Sequence, residues 1–165
     1  MPILPGYHHF DGRDRDTGPV RNALAYQGIT APHTGQPYSE ALLLGISGGI
    51  AFGYFTFEYA GYDPHIALLT RNTFSPFETL LDRLAVPRDV LQTASADKAW
   101  DNLITMLEDG LPAIIWADAF SLPYNLLPWD DRNWAVFPLL VYGADGDTVF
   151  LADRASMRRA VTRDV

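Results

Sequence analysis

The sequence predicts an α+β fold, and three observations support this assignment. Apolar residues recur at helical spacing in several segments of the first two thirds of the chain. Apolar and β-branched strand patterns dominate the last third, where a turn rich in Gly and Asp separates two of them as in a hairpin. The chain has 165 residues and no linker of biased composition, so we expect a single domain over 1–165. Because helices and strands fall largely in separate blocks, the pattern favours α+β over a doubly wound sheet.

Four helices are predicted from capping residues, apolar spacing and terminal glycines. The first has Asp16 or Thr17 as its N-cap and is expected to end at Gly28. The last is the clearest, since Ser95 is a good cap and the following apolar residues recur on one face. The predicted helical segments, in chain order, are 17–28, 39–46, 75–84 and 95–110.

Strands are predicted where β-branched and aromatic residues replace the helical pattern. A long loop with several prolines follows the run that ends at Asp118, and the turn 143–147 closes the final hairpin. The predicted strands are 50–59, 66–70, 90–93, 113–116, 137–142 and 148–152.

Composition and charge exclude several classes of function. The net charge of −8 argues against a nucleic-acid partner, because phosphate backbones attract basic surfaces. The chain has no cysteine, which excludes disulfides, thiolate metal sites and a cysteine nucleophile. Its apolar runs are far shorter than the ~20 residues of a membrane span, and its start lacks a signal-peptide pattern. We therefore expect a cytoplasmic protein without a membrane partner.

Two local motifs suggest chemistry, but a structural explanation is favoured for each. Ser47 lies in a Gly-x-Ser-x-Gly pattern, yet the predicted order is helix then strand, the reverse of a nucleophile turn. His8 and His9 precede three aspartates, but neighbouring histidines point in different directions and the carboxylates fit a solvated turn. We predict no metal and no cofactor.

The loop after the strand that ends at Asp118 is a candidate binding region. Trp116, Asp118 and Tyr124 lie at or just beyond the strand end, where polar and aromatic side chains tend to contact ligands. An alternative role for Asp118 is to hold this loop through hydrogen bonds.

Several segments together resemble the N-terminal domain of the butirosin biosynthesis protein H family. They are His8–Gly12, Thr17–Tyr26, Ser39–Tyr54, Trp116–Asp118, Leu122–Tyr124, Val141–Gly143 and Ala152–Arg154. The resemblance implies a papain-like fold of the peptidase C39-like, bacteriocin-processing type, with helices packed on an antiparallel sheet. It also implies a role in secondary-metabolite biosynthesis, since the named member is an acyltransferase that moves an aminoacyl group from a carrier protein to an aminoglycoside. Members often continue into a second domain, so we expect this chain to be the N-terminal part of a longer protein.

The resemblance also implies where the catalytic residues would lie. A cysteine is expected at a helix N-terminus, a histidine in the first strand of the closing hairpin and an aspartate after its second strand. At these positions this sequence has Arg15, Phe137 and Asp153, of which only Asp153 retains the family's residue type. His9 lies where papain-like enzymes place an oxyanion donor.

Two functions remain open at this point. The first is a catalytically degenerate module that binds an acyl carrier protein or a small acidic ligand through Arg15, Trp116, Asp118 and Tyr124. The second is an acyltransferase or hydrolase that acts on aminoacyl thioesters without a cysteine, with His9 or Asp118 as general base. We expect Arg15 to form an ion pair with Asp153, or alternatively with Asp14 or Asp16, because a cation before a helix N-terminus needs a carboxylate nearby.

Overall fold

The computed structural model describes residues 2–50, 52–69, 75–125, 135–154 and 158–163. The fold class is α+β, as predicted. The chain divides into two compact units, one formed by residues 1–38 and 90–165 and the other by residues 39–89. Each unit is described by itself, and a single domain over 1–165 stays a prediction.

The described residues form four α-helices, a short 3-10 helix and six strands. In chain order they are α1 Thr17–Tyr26, α2 Glu40–Ile46, β1 Gly53–Phe57, β2 His65–Leu69, α3 Pro76–Arg83, α4 Ala96–Glu108, β3 Ala113–Asp118, the 3-10 helix Pro123–Asn125, β4 Val136–Asp145, β5 Thr148–Ala152 and β6 Arg159–Thr162. None of the helices in these ranges is long and apolar enough to cross a membrane.

The first unit is built on a four-stranded antiparallel sheet in the order β3-β4-β5-β6. Helix α1 packs on β4, and helix α4 packs on both β3 and β4. Strand β4 is buried from Phe137 to Ala144, which explains why its sequence is a continuous apolar run rather than an alternating one. The sheet and the two helices enclose the main hydrophobic core.

The start of α1 is held by a side chain that the sequence did not single out as the cap. Asp16 occupies the N-cap position but its side chain makes no capping hydrogen bond. The carboxylate of Asp14 accepts instead, at 2.9 Å from both the backbone N–H and the hydroxyl of Thr17. The helix ends at Tyr26, and Gly28 follows with a φ of +71°, so the predicted end was two residues late.

The segment before α1 lies unusually close to the helix. A Cβ atom at Gly12 would lie 2.4 Å from the carbonyl oxygen of Gly18, so only glycine fits. The Gly12 N–H also donates to Oδ1 of the buried Asn22 at 3.0 Å. These contacts fix the backbone a few residues before Arg15.

The second unit contains α2, α3 and the β1–β2 hairpin. Ser39 caps α2 by accepting from the Leu42 N–H, as the sequence predicts. The Arg83 guanidinium donates to the Ile46 carbonyl at 2.6 Å and so ties α3 to the end of α2. Strands β1 and β2 pair antiparallel, and both expose large apolar side chains.

Two sequence-based strand assignments differ from the structure. The strand predicted over 90–93 is wrong, since these residues have no regular structure. Strand β6 was not predicted, because its segment is short and rich in arginine. Its stabilising contacts involve aromatic rings elsewhere in the chain: Arg159 lies over the ring of Tyr124, and Arg163, just after the strand, lies over that of Trp100.

Candidate functional site

A cleft of about 360 Å³ opens in the first unit, beside the start of α1 and the start of β4. We call it the arginine cleft, because two arginines line it together with small and aromatic apolar residues. Its lining residues are Arg15, Ala119, Phe120, Asn125, Ala135, Phe137 and Arg154.

The ring of Phe137 contacts the guanidinium groups of both arginines. Its side chain is 1% exposed, near the start of β4. The guanidinium carbon of Arg15 lies 5.0 Å from the ring centroid, and that of Arg154 lies 4.7 Å from it. Cation–π contacts at such distances stabilise by ~0.5–1 kcal/mol when exposed and by more when water is excluded. The ring therefore brings two positive charges together in one cleft.

Arg154 is held in place by a chain of hydrogen bonds. The buried carboxylate of Asp153 accepts from the Arg154 backbone N–H at 2.6 Å and from its Nε at 3.1 Å. Arg154 Nη2 donates to Asn125 Oδ1 at 3.2 Å, and the Asn125 amide in turn donates to the Ala119 carbonyl at 3.0 Å. Asp153 and Asn125 therefore each accept one hydrogen bond from the Arg154 guanidinium and hold it in place.

Arg15 is far less constrained than Arg154. Its side chain is exposed, and its guanidinium makes one long hydrogen bond of 3.5 Å to the Val136 carbonyl. The expected ion pair between Arg15 and Asp153 is not formed: Asp153 pairs with Arg154, which directly follows it and reaches it from both backbone and side chain. Among the described residues, no carboxylate lies within ion-pair distance of Arg15.

Tyr124 lies behind the cleft, next to Asp153. Burial raises the pKa of the Tyr124 hydroxyl well above its usual range, and the nearby Asp153 carboxylate raises it further. The geometry between the two groups falls short of a hydrogen bond, and the hydroxyl has no other partner among the described residues. The guanidinium carbon of Arg159 lies 5.0 Å from the ring centroid. Tyr124 thus contacts the network around Asp153 but does not line the cleft.

Asp118 holds the walls of the cleft rather than facing into it. Its Oδ1 accepts from the Ala135 N–H at 2.8 Å, and its Oδ2 accepts from the N–H and the hydroxyl of Ser121, at 3.1 and 2.9 Å. These hydrogen bonds, led by that from Ala135, lower the pKa of Asp118. The loop-holding role that the sequence left open for Asp118 is the one its geometry supports.

Trp116 lies on the other face of the sheet from Phe137. In the β3–β4 register Trp116 pairs with Pro138, whereas Ala117 pairs with Phe137. Directly paired residues share a face and neighbours alternate, so the Trp116 side chain points away from the arginine cleft. The structure therefore does not bring Trp116 together with the two arginines.

Replacing Asp118 by Asn is expected to lower the melting temperature at pH 7. The Asp118 carboxylate accepts from the N–H groups of Ala135 and Ser121, and the NH₂ of an asparagine amide would place a second donor against one of them. The pKa of this group is lower in the folded than in the unfolded state. Its stabilising contribution is therefore present above the ordinary value of 3.8 and is lost as the pH falls through the folded value. Thermal unfolding monitored by circular dichroism should show the melting temperatures of the variant and the parent protein converging as the pH falls below 3.8.

The matched control for this prediction is Asp101→Asn, on the exposed surface of α4. It should leave the melting temperature nearly unchanged at pH 7 and at the lower pH values. A melting temperature for Asp118→Asn equal to that of the control at pH 7 would contradict the loop-holding role.

His9 lies in an aromatic cluster and does not line the cleft. Its ring centroid is 5.9 Å from that of Tyr7 and 6.3 Å from that of Tyr26. Burial lowers the pKa of His9, and the neighbouring His8 lowers it further. An oxyanion role for His9 stays a prediction. Among the described residues, no group of three His, Asp or Glu side chains could hold a metal ion.

The family model described as butirosin biosynthesis protein H, N-terminal, matches residues 15–154. The chain belongs to this family. The match covers most of the chain and includes every residue that lines the arginine cleft. Comparisons with curated proteins and with solved structures gave no match.

In this member of the butirosin biosynthesis protein H N-terminal family, the fold gathers three residues that are distant in sequence. Arg15 precedes α1, Phe137 lies in β4 and Asp153 follows β5, yet the guanidinium of Arg15 contacts the ring and Asp153 pairs with a second arginine on that ring. These are the positions that the resemblance assigned to a nucleophile, a base and an orienting carboxylate.

Sequence reasoning missed two residues of the cleft that matter to its chemistry. The sequence patterns include Arg154 only as the last residue of the segment Ala152–Arg154, and they do not single out Asn125. A signal for Arg154 was present, since an arginine directly after a buried aspartate is well placed to pair with it. The role of Asn125 depends on a contact across 29 positions, which no local pattern indicates.

Proposed function

We propose that this domain is a catalytically degenerate papain-like domain that binds an acyl carrier or a small acidic ligand at the arginine cleft. The observation that carries the proposal is the contact between the Arg15 guanidinium and the Phe137 ring, 5.0 Å from its centroid. A cation and a hydrocarbon ring occupy the two positions from which a thiol and an imidazole would act together.

Covalent acyl transfer at these positions requires a nucleophile and a base. A thiolate beside a helix N-terminus attacks the acyl carbon, and an imidazole first takes and then returns a proton. A guanidinium is protonated at all accessible pH values and a phenyl ring has no proton to exchange. Loss of the nucleophile and its base leaves a residual acceleration of roughly 10³–10⁴-fold from positioning and oxyanion contacts.

The arrangement is suited to holding an anion. Guanidinium groups present N–H donors in a planar fork that matches a carboxylate or a phosphate. Arg154 is paired with Asp153, so Arg15 is the cation of the cleft that no described carboxylate pairs with, on a chain whose net charge is −8. An acidic ligand, either free or attached to a carrier, is the chemistry that fits these charges.

The enzymatic alternative has less support from the geometry. Both carboxylate oxygens of Asp118 accept hydrogen bonds from the loops they hold, and His9 contacts Tyr7 and Tyr26 rather than the cleft. Neither side chain is placed to take a proton from a water molecule bound between the two arginines.

The test is to incubate the full chain with an aminoacyl thioester of a carrier protein, and separately with the matching small-molecule thioester. We expect saturable binding by calorimetry and no thioester cleavage above the buffer rate. Arg15→Gln should weaken binding at least tenfold. Arg88→Gln, which removes an arginine outside the cleft lining, is the control and should bind like the parent protein.

Turnover that Asp118→Asn or His9→Gln abolishes would overturn this proposal in favour of the enzyme. Binding that Arg15→Gln leaves unchanged would show that the ligand does not occupy the arginine cleft.

A further inference from the structure

We infer that the arginine cleft recognises a small monocarboxylate with a compact apolar body, and that Arg15 is the group that pairs with its charge. This inference rests on the proposed function, because it names the ligand class of the same site. It follows from the charge balance of the cleft, the unequal restraint of its two arginines and the nature of its walls.

The charge balance calls for a ligand with one negative charge. Among the described residues, two guanidinium groups line the cleft, and two carboxylates support it: Asp153 pairs with Arg154, and Asp118 accepts from Ala135 and Ser121. The charge of Arg15 is the one that no carboxylate among the described residues balances. A monoanion would neutralise it, whereas a phosphate monoester, with about −1.5 to −2 charges, would place excess negative charge near Asp153.

The two arginines have different restraints, which assigns them different roles. Arg154 is fixed by Asp153 and Asn125, so it acts as part of the wall. Arg15 has one weak hydrogen bond to the Val136 carbonyl and an exposed side chain, so its fork can turn to meet a carboxylate without breaking an ion pair. A bidentate ion pair is a stronger interaction than a single hydrogen bond of 3.5 Å.

The remaining walls favour an apolar body on the ligand. Among the described residues, they are formed by Ala119, Phe120, Ala135 and Phe137. The polar side chain among them, Asn125, already donates to the Ala119 carbonyl and accepts from Arg154. A ligand rich in hydroxyl groups would leave those groups unpaired against the apolar walls, which costs affinity. A cleft of about 360 Å³ is near the lower end of small-molecule sites.

The test is to titrate the full chain with small-molecule probes and to measure binding by calorimetry and by NMR chemical-shift changes. Four probes are compared: 3-phenylpropanoate, its neutral amide 3-phenylpropanamide, acetate and inorganic phosphate. We expect 3-phenylpropanoate to bind at least tenfold more tightly than each of the other three. The amide isolates the contribution of the charge, acetate isolates that of the body, and phosphate tests the charge balance.

Variants test the role of Arg15. Arg15→Gln should lower the affinity for 3-phenylpropanoate at least tenfold and flatten its dependence on salt, because the ion pair is gone. Arg15→Lys should lose part of the affinity, since an ammonium cannot form the bidentate fork. Arg88→Gln should bind like the parent protein, and circular dichroism should show that the variants are folded.

Phosphate binding as tight as that of 3-phenylpropanoate, or 3-phenylpropanoate binding that Arg15→Gln does not change, would overturn the inference. The inference also fails alone if a carrier protein bearing its phosphopantetheine arm binds in an Arg15-dependent way and 3-phenylpropanoate does not compete. That result leaves the proposed function standing. Thioester turnover, in contrast, would overturn the proposed function and this inference together.

Discussion

A variant that combines Arg15→Cys with Phe137→His is expected to carry a thiol that reacts with iodoacetamide at pH 6 at least tenfold faster than an ordinary cysteine. The reason is that an imidazolium and the N-terminus of α1 would both stabilise the thiolate, which lowers its pKa from about 8.5 to between roughly 3.5 and 7.5. The resemblance assigns positions 15 and 137 to a nucleophile and its base, and in the structure the long side chain of Arg15 reaches from just before α1 to the ring of Phe137. Because the chain has no cysteine of its own, mass spectrometry reads a single labelling site.

The matched control is Arg15→Cys alone, which keeps the Phe137 ring. Its thiol has the same position on the helix but no imidazole beside it, so the difference in labelling rate between the two variants isolates the pair. Circular dichroism checks that the double variant folds, since the introduced imidazole replaces a core side chain. Equal labelling rates in two folded variants would show that positions 15 and 137 do not form a nucleophile–base pair.

Phe137→Ala is expected to lower the free energy of unfolding by about 3–5 kcal/mol, because it removes a fully buried aromatic side chain and leaves a cavity. For a chain of this size each kcal/mol corresponds to roughly 2–4 °C in melting temperature, so a drop of about 6–20 °C should follow. The same change removes the surface on which the guanidinium groups of Arg15 and Arg154 lie. Thermal and urea unfolding followed by circular dichroism measure the loss.

Phe137→Leu separates the core role of this side chain from its role in the cleft. Leucine fills much of the same space, so we expect a smaller loss of stability than with alanine. It cannot, however, offer a π face to the two cations. Binding of 3-phenylpropanoate should therefore weaken in the leucine variant even where the protein stays folded. An alanine variant as stable as the parent protein would contradict the position of Phe137 in the core.

The helices could be predicted because their signals are local. Ser39 and Ser95 each accept a hydrogen bond from an N–H three residues ahead, and Gly28 and Gly110 adopt the positive φ that ends a helix. The hairpin of β4 and β5 follows from two apolar runs around a tight turn. The strand predicted over 90–93 was wrong because a short β-branched run carries no information about whether a partner strand is available.

The partners of the charged side chains could not be predicted in the same way. The sequence suggested an ion pair between Arg15 and Asp153 but left Asp14 and Asp16 as alternative partners. In the structure the Asp153 carboxylate pairs with Arg154. Asp118 could have been a binding residue or a loop holder, and only its contacts with Ala135 and Ser121 distinguish the two. These outcomes depend on which donors the folded chain brings to each carboxylate, and the residue types alone do not decide that.

The residues alone predict an α+β chain, exclude a thiol and, through the resemblance, assign Arg15 and Phe137 to the expected nucleophile and base positions. These inferences use composition, local periodicity and resemblance, which need no coordinates. The folded chain was needed to find that the Arg15 guanidinium contacts the Phe137 ring, that Arg154 contacts the same ring and that Trp116 faces the other side of the sheet. Such contacts depend on strand register and side-chain packing, which arise from the whole core and are not encoded in any one segment.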